Sequence, residues 1–505
     1  MKPVQFFQGG PAGRLRSAGA SLFQRRRLAV VLVTLSLVGT ACGSRLTGGA
    51  LLLAEGAGVN HGTGTSGGGS STNPGTSSAS GATGGSAGTS GTSGSSGTSG
   101  SSGGAAASGG GGGGGGCSAT SANNGGATDT GVTANQILIG NITSITGVAP
   151  GLTQSAQQAT QAFAAYVNSQ GGICGRMLKV QATDDGNTSS GNYSNATQAC
   201  STDFAMVGNA SGFDDGGASA VNSCGIPDVA AEVSTAAAGN TADIFGATPG
   251  NSHYWPTGAA VWLKSQYPNA VTHAAMIYLN VPATQNQATN EINAYSSVGF
   301  NYVYKQAVSP TEPNYAPYVQ AMQQAGVQYV TEYSDDNSAA RLSQAMQQAN
   351  FTPQVVDWFS EMYTPAFLHE TNGTANGNLV LMATAPYEDA SGNSGMQTFL
   401  SWMNRVAPGF THDIFAEFAW SAGLAFQQAA TAVGPHLTRA ALLQQLAKIG
   451  NWTGGGVQPP ENFGQKIPSN CFSYYKINGS GSGYTRVYPS SPNGYDCTSG
   501  SLLHY

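Results

Sequence analysis

The run from Gln136 to Asp185, QILIGNITSITGVAPGLTQSAQQATQAFAAYVNSQGGICGRMLKVQATDD, constrains the fold more than any other stretch of the chain. Ile137, Leu138 and Ile139 form a short apolar strand, and a loop carrying Ser144, Thr146 and Gly147 opens a helix. Within that helix Ala156, Ala159, Phe163, Tyr166 and Val167 recur as one buried stripe of a 3.6-residue period. Gly171 and Gly172 stop it, and a second strand from Met177 to Val180 ends at Asp184 and Asp185. Strand, crossover helix and strand make a parallel sheet. Where such strands end, loop hydroxyls and helix N-termini form a cradle for a small anion.

The first part of the chain is of another kind. Arg25, Arg26 and Arg27 precede an apolar run from Leu28 to Val38 and then Gly39-Thr40-Ala41-Cys42, the order of an export signal, and the run is short for a bilayer span. From about Glu55 to Ala127 nearly every residue is Gly, Ser, Thr or Ala, with unbroken glycine from Gly109 to Gly116. Such a segment buries too little apolar surface to offset its ordering entropy. As a coil of about 70 residues it spans about 45 to 50 Å, so it reads as a tether.

Charge narrows the partners. The net charge is −6, but Lys2, Arg14, Arg16, Arg25, Arg26 and Arg27 precede Cys42 with no acid among them, so removing those six positives leaves the exported part at −12. Nucleic acid is excluded as a partner for so acidic a surface. Charged residues make up only 8% of the chain, and Gln, Asn, Ser and Thr supply polarity instead.

Setting Cys42 aside, six cysteines remain, none in CxxC spacing, which in an exported chain favours disulfides over metal. Fifteen pairings are open to six cysteines. Position favours Cys200–Cys224, which flank a strand and its helix. Cys471–Cys497 would close the tyrosine-rich C-terminal segment, leaving Cys117–Cys174 to pin the tether to the folded part. No HExxH, GxSxG or Cys/His cluster is present, and the seven histidines are scattered, so neither a catalytic residue, a metal site nor a cofactor is assigned. Asp184 and Asp185 are adjacent in a strand and point to opposite faces, so they cannot share a site.

The order S-x-T-G, GGI-x-GR and DD, from Ser144 to Asp185, resembles the amino-terminal lobe of the branched-chain amino acid binding proteins of ABC transporters. Phe204 to Gly208, Ser211, Gly225-Ile226-Pro227 and Ser234-Thr235 are similar to its next strands and ligand-facing loops. Pro256 to Ala260, Asn314-Tyr315, Tyr318-Val319 and Val327 to Val330 are similar to the second lobe, so the likeness spans roughly residues 131 to 490. It implies an α/β fold of two doubly wound parallel-sheet lobes joined by a multi-strand hinge, the type I periplasmic binding protein. Lobe 1 is expected over 130–250 plus 386–462 and lobe 2 over 251–385 plus 463–505, after a signal over 1–42 and a tether over 43–129. The signal's small residues and Cys42-Gly43-Ser44 resemble a bacterial lipoprotein signal, with Cys42 lipidated and Gly39 where Leu is usual.

The resemblance also assigns roles. Ser211 or its neighbour Gly212, with Val233 and Ser234, would hold a ligand carboxylate from lobe 1. Glu361 falls on an ammonium-binding glutamate of lobe 2, and Ser334 and Asp335 lie in a loop that contacts ligand beside Tyr333. Glu232 is different, standing where the family has a small residue. The loop from Asn280 to Ala283 lacks an expected Tyr-Gly, and Leu152 replaces an aromatic cover, which argues against leucine-type selectivity. The expected function is therefore extracytoplasmic capture of a small polar solute (amino acid, amide or small carboxylate) by a monomer lipid-anchored to the outer face of the cytoplasmic membrane, for delivery to ABC permease subunits. A ligand sensor that signals to a receptor is the alternative, and an enzyme is not expected.

Overall fold

The computed structural model describes Cys117 and residues 123–249, 253–479, 481–491 and 494–505. The signal, Cys42 and most of the tether lie outside the described residues. Eleven strands come first in chain order: β1 (Gln136–Thr143), β2 (Met177–Asp184), β3 (Ala205–Val207), β4 (Asp228–Val233), β5 (Ile244–Pro249), β6 (Tyr254–Pro256), β7 (Ala274–Leu279), β8 (Tyr302–Val308), β9 (Tyr329–Tyr333), β10 (Val355–Trp358) and β11 (Leu379–Met382). A short pair, β12 (Asn451–Trp452) and β13 (Glu461–Asn462), is followed by β14 (Ser473–Ile477), β15 (Tyr484–Tyr488) and β16 (Leu502–His504).

The first sheet runs β2-β1-β3-β4-β5, all parallel. The second repeats that order as β8-β7-β9-β10-β11, and β14 and β15 extend its far edge antiparallel. In both sheets the winding reverses beside the first strand, and ligands of such sheets sit outside the carboxyl ends at that reversal.

Among the described residues, twelve α-helices complete the layers: α1 (Gln154–Ser169), α2 (Ser189–Thr202), α3 (Asp215–Cys224), α4 (Ala236–Gly239), α5 (Gly258–Gln266), α6 (Pro282–Ser297), α7 (Ala316–Gln324), α8 (Asp336–Gln348), α9 (Pro365–Thr371), α10 (Ser394–Val406), α11 (Ile414–Val433) and α12 (Arg439–Leu446). The α1 stripe is buried as its period predicts, apart from half-buried Tyr166, whose ring packs 5.3 Å from that of Trp420. Gly171 and Gly172 end α1 with φ of +94° and +75°, a conformation costly for other residues. Helix α11 is apolar nearly all round and lies buried against α1. At Gly423 a Cβ would fall 2.4 Å from the Phe163 ring, so only glycine lets the two helices approach this closely.

The core of the second sheet is built differently. Asp357 accepts hydrogen bonds from Tyr329 and Tyr474, both at 2.8 Å, while Glu291 accepts from Tyr302 at 3.2 Å and Tyr333 at 2.7 Å. Burial pushes the carboxyl of Asp357 up to about 7 and that of Glu291 up to about 8.

The chain passes between the lobes three times, after β5, after β11 and ahead of β14, with β16 pairing back onto β6 at the first crossing. Disulfides join Cys117 to Cys174, Cys200 to Cys224 and Cys471 to Cys497, the last at the third crossing. Among the described residues no helix is long and apolar enough to cross a membrane.

Two boundaries differ from expectation. The tether was to run to residue 129, but its end is folded onto lobe 1. Asn124 is buried and donates to the carbonyls of Ala134 and Cys174, and Asp129 accepts from the Arg439 N–H. Arg176, the last residue of GGI-x-GR, is fully buried and donates to the carbonyls of Thr133, Gly126 and Pro435. A guanidinium taken out of water needs those acceptors, and a glycine-rich strand of chain can wrap them round it. The return to lobe 2 expected at 463 comes slightly later, since Phe463 stacks on Phe245 of lobe 1 and Lys466 donates to the Thr241 carbonyl.

Candidate functional site

Parallel register carries β1 and β2 to a common end, Thr143 opposite Asp184, so the loops that follow share one edge. There the adjacent acids part, as strand geometry requires. Asp184 accepts from the N–H groups of Ile145, Thr146 and Gly186 and from the Thr146 hydroxyl. Partial burial raises its carboxyl, and those hydrogen bonds win, holding it down to about 2. Asp185 turns inward and accepts from Ser144 Oγ at 2.9 Å, Asn187 N at 2.9 Å, Asn192 Nδ2 at 3.1 Å and Ser211 Oγ.

Ser211 is therefore committed within lobe 1, its hydroxyl donating to Asp185 and accepting from Phe213 N at 3.0 Å. Ser234 is similar, because its N–H donates to Asp214 Oδ2 at 2.7 Å. Burial, offset in part by hydrogen bonds from Thr235 and Ser234, leaves the Asp214 carboxyl raised to about 6. The Ser211 hydroxyl and the Ser234 N–H thus already serve two acids of the same lobe.

Opposite stands the N-terminus of α6. Ala283 N donates to the Gly212 carbonyl at 3.2 Å, Asn286 Nδ2 to the Ser234 carbonyl at 3.1 Å and Gln287 Nε2 to Glu232 Oε1 at 2.9 Å. These three bonds tie lobe to lobe. From lobe 2 come the loops after β9 and β10. Ser334 donates to Glu332, and Asp335 caps α8 by accepting from Ser338 N at 3.1 Å. Glu361 sits in the turn after β10, half-buried, its carboxyl accepting a hydrogen bond from its own N–H.

Ser211, Gly212, Ser234, Ser334, Asp335 and Glu361 all line one cavity at this edge, walled also by Leu152, Val281, Ala283 and Phe415. Val233 lines a second cavity behind it, of about 140 Å³, and Glu232, Gln287 and Glu361 border both. Burial and then repulsion from Glu232 push the Glu361 carboxyl well up, and burial and then Asp214 push Glu232 up. Glu332 and Asp336 add to the field, raised by burial to about 8 and about 7. Among the described residues lining the two cavities there is no Lys, Arg or His.

Sequence reasoning missed Gln287 and Phe415. Gln287 lies one turn beyond Ala283, a helical spacing that could have placed it beside the cleft loop. Phe415 follows Asp413, which caps α11 by accepting from Ala416 N at 3.0 Å, so Phe415 occupies the first turn of a helix that starts at the cleft.

Two α/β lobes of one strand order, joined by three crossings and meeting at the carboxyl ends of both sheets, define a bilobal solute-binding protein. The model of the periplasmic binding protein family matches residues 136–482, and the chain belongs to that family, in its type I form. Its members are binding proteins that work outside the cytoplasm. No curated protein matches the sequence. Among solved structures, the chain is similar to a fatty acid ABC transporter substrate-binding protein from Thermomonospora curvata, at 18% identity over 74% of this chain and 98% of the other, with a TM-score of 0.63. It is also similar to a branched-chain amino acid substrate-binding protein of Streptococcus pneumoniae in complex with isoleucine, at 13% identity over 70% and 100% with a TM-score of 0.57. A solute-binding protein of an ABC transporter from R. palustris, in complex with benzoate, gives 13% identity over 70% and 96%, again with a TM-score of 0.57. Likeness at these identities speaks for the fold.

Proposed function

We propose that this protein is the solute-capturing component of an ABC importer, holding a small polar solute (an amino acid, amide or small carboxylate) between two closing lobes and handing it to membrane permease subunits. One observation carries the reading: the carboxyl ends of two sheets wound in the same order face each other across a cavity that both lobes line. Three crossings suit closure by bending. The solved structures that share the fold include a fatty acid ABC transporter substrate-binding protein and proteins in complex with isoleucine and with benzoate, so the range of solutes the fold admits is wide. In this reading the protein acts as a monomer, and lipid on Cys42 holds it to the outer face of the membrane through the glycine-rich tether.

A thermal-shift screen of a metabolite library tests the proposal. A true ligand at 100 times its Kd stabilises by about 2.7 kcal/mol, and small-angle scattering should then show compaction. A library without a hit, or hits without compaction, would defeat it. Anchoring is tested separately. Cys42→Ala should move the protein from the membrane to the medium, since a lipid anchor then has no attachment point. Retention on the membrane would overturn the lipoprotein reading.

A further inference from the structure

The cavity behind the cleft is too large and too apolar to be a packing fault. It lies between the lobes at the crossings, walled by Trp255, Tyr295, Phe359, Leu381, Phe418 and Phe472, and its volume of about 140 Å³ is close to that of an engineered cavity that admits benzene, about 150 Å³. Two acceptor atoms of its wall are left over. Glu461 Oε1 and Gln458 Oε1 are buried in its wall with no hydrogen-bond partner, and both residues are more than nine-tenths buried. Glu232 from lobe 1 and Glu361 from lobe 2 stand where this cavity meets the front one.

Facing acids without a lining cation disfavour a carboxylate. No cation lines either cavity among the described residues, and two of the donors beside them, Ser211 Oγ and Ser234 N, are spent on Asp185 and Asp214. An ammonium group brings donors only, and it relieves the repulsion between two facing acids. The exported part of the chain, at −12, attracts cations as well.

We propose, resting on the binding-protein reading above, that the solute is a small primary amine with an apolar body about the size of one ring, its ammonium between Glu232 and Glu361 and its body in the rear cavity. Recognition needs no acid group on the ligand.

Titration calorimetry with 2-phenylethylamine, ethylamine and phenylacetate reads each part of this. Phenylethylamine should bind at least about 10-fold more tightly than ethylamine, the least that burying a ring should give, and more tightly than phenylacetate. Ala383 lines the rear cavity, half-exposed to it. Ala383→Phe should bring the ratio of the two amines close to one. A series of straight-chain amines on the unaltered protein gives the same reading without a variant, with affinity climbing to about six carbons and falling once the cavity is full. Phenylacetate binding as well as the amine would overturn the proposal, as would an unchanged ratio in Ala383→Phe or an affinity indifferent to chain length. If no amine binds while the screen yields another solute, this inference falls and the binding-protein reading stands. A screen with no hit at all brings down that reading itself.

Discussion

The two lobes wind their sheets in the same order, yet they bring different things to the cleft. Lobe 1 presents two groups already satisfied within itself, Ser211 serving Asp185 and the Ser234 N–H serving Asp214, beside Glu232, whose carboxylate takes a hydrogen bond from Gln287 of lobe 2. Lobe 2 presents Glu361, whose carboxyl, among the described residues, accepts only from its own N–H. Recognition chemistry is thus set by which acids each lobe keeps for its own loops, and strand order alone does not decide it. The cores differ in the same sense. Lobe 1 packs small residues and aromatics round α11 with a disulfide between α2 and α3, whereas lobe 2 buries carboxyls under tyrosine hydroxyls.

The largest effect should come from pH acting on the lobe 2 core. Folding raises Glu291 to about 8 and Asp357 to about 7, chiefly by burial, above an unfolded value of about 4. The folded state therefore holds those protons more tightly. Their contribution is fully present below about pH 4 and is lost as pH rises through 7 to 8, so stability should fall with increasing pH in that window. Between pH 5.5 and 8.5 the two groups together account for on the order of 5 kcal/mol. Urea titrations at both values measure it. Equal or greater stability at pH 8.5 would mean that these carboxyls are ionised in the fold.

Next comes a change confined to lobe 1. Replacing Cys200 and Cys224 by Ala opens a loop of 24 residues and should cost about 3.4 kcal/mol on chain-entropy grounds. Hydrogen exchange should show the loss in α2 and α3 and leave the β7–β9 strands protected. Uniform loss across both lobes would erase the distinction between them and make the two a single cooperative unit.

Some of this was legible in the sequence for physical reasons. Strand and helix periods in Gln136–Asp185 follow from burial on a repeating face, and Gly171 and Gly172 mark the stop because they alone take positive φ cheaply there. The residues expected at the cleft are adjacent to strand ends, which parallel topology gathers on one edge. What stayed hidden depends on contacts between distant segments. Nothing in the local pattern of Ser234 shows that Asp214, 20 residues earlier, takes its N–H. The rear cavity is equally invisible, being enclosed by crossings that meet only in the folded chain. Residues 123–129 read as tether by composition because their ordering partners, Cys174, Arg176 and Arg439, lie far along the chain.

The third prediction bears directly on the cleft. If the unspent acid of lobe 2 holds the ligand, Glu361→Gln should weaken binding by about 10- to 150-fold, the equivalent of 1.5–3 kcal/mol for a charge-assisted hydrogen bond. Ser211→Ala should disturb the Asp185 network and lower stability while changing affinity less. Calorimetry with the screened ligand measures both variants. The reverse ranking would show that lobe 1 carries recognition and would overturn the contrast drawn between the lobes.

The smallest effect should come from the bond by which lobe 2 reaches lobe 1. Asn286 Nδ2 donates to the Ser234 carbonyl at 3.1 Å, a contact that exists only when the lobes meet. Asn286→Ala removes it, and a net hydrogen bond is about 1 kcal/mol, so the open form should gain about 5-fold in relative population. Ligand affinity should drop by no more than the same factor, because a ligand that needs both lobes draws on the closed form. Stability of each lobe should hold or rise slightly, since Ala favours the interior of α6 more than Asn does. Small-angle scattering of the unliganded variant reads the population, and calorimetry reads the affinity. An unchanged scattering profile would mean that the neighbouring bonds, Ala283 N to Gly212 and Gln287 to Glu232, suffice to hold the lobes together. A loss of affinity far beyond about 5-fold would place Asn286 in direct contact with the solute, moving part of recognition from the strand ends to α6.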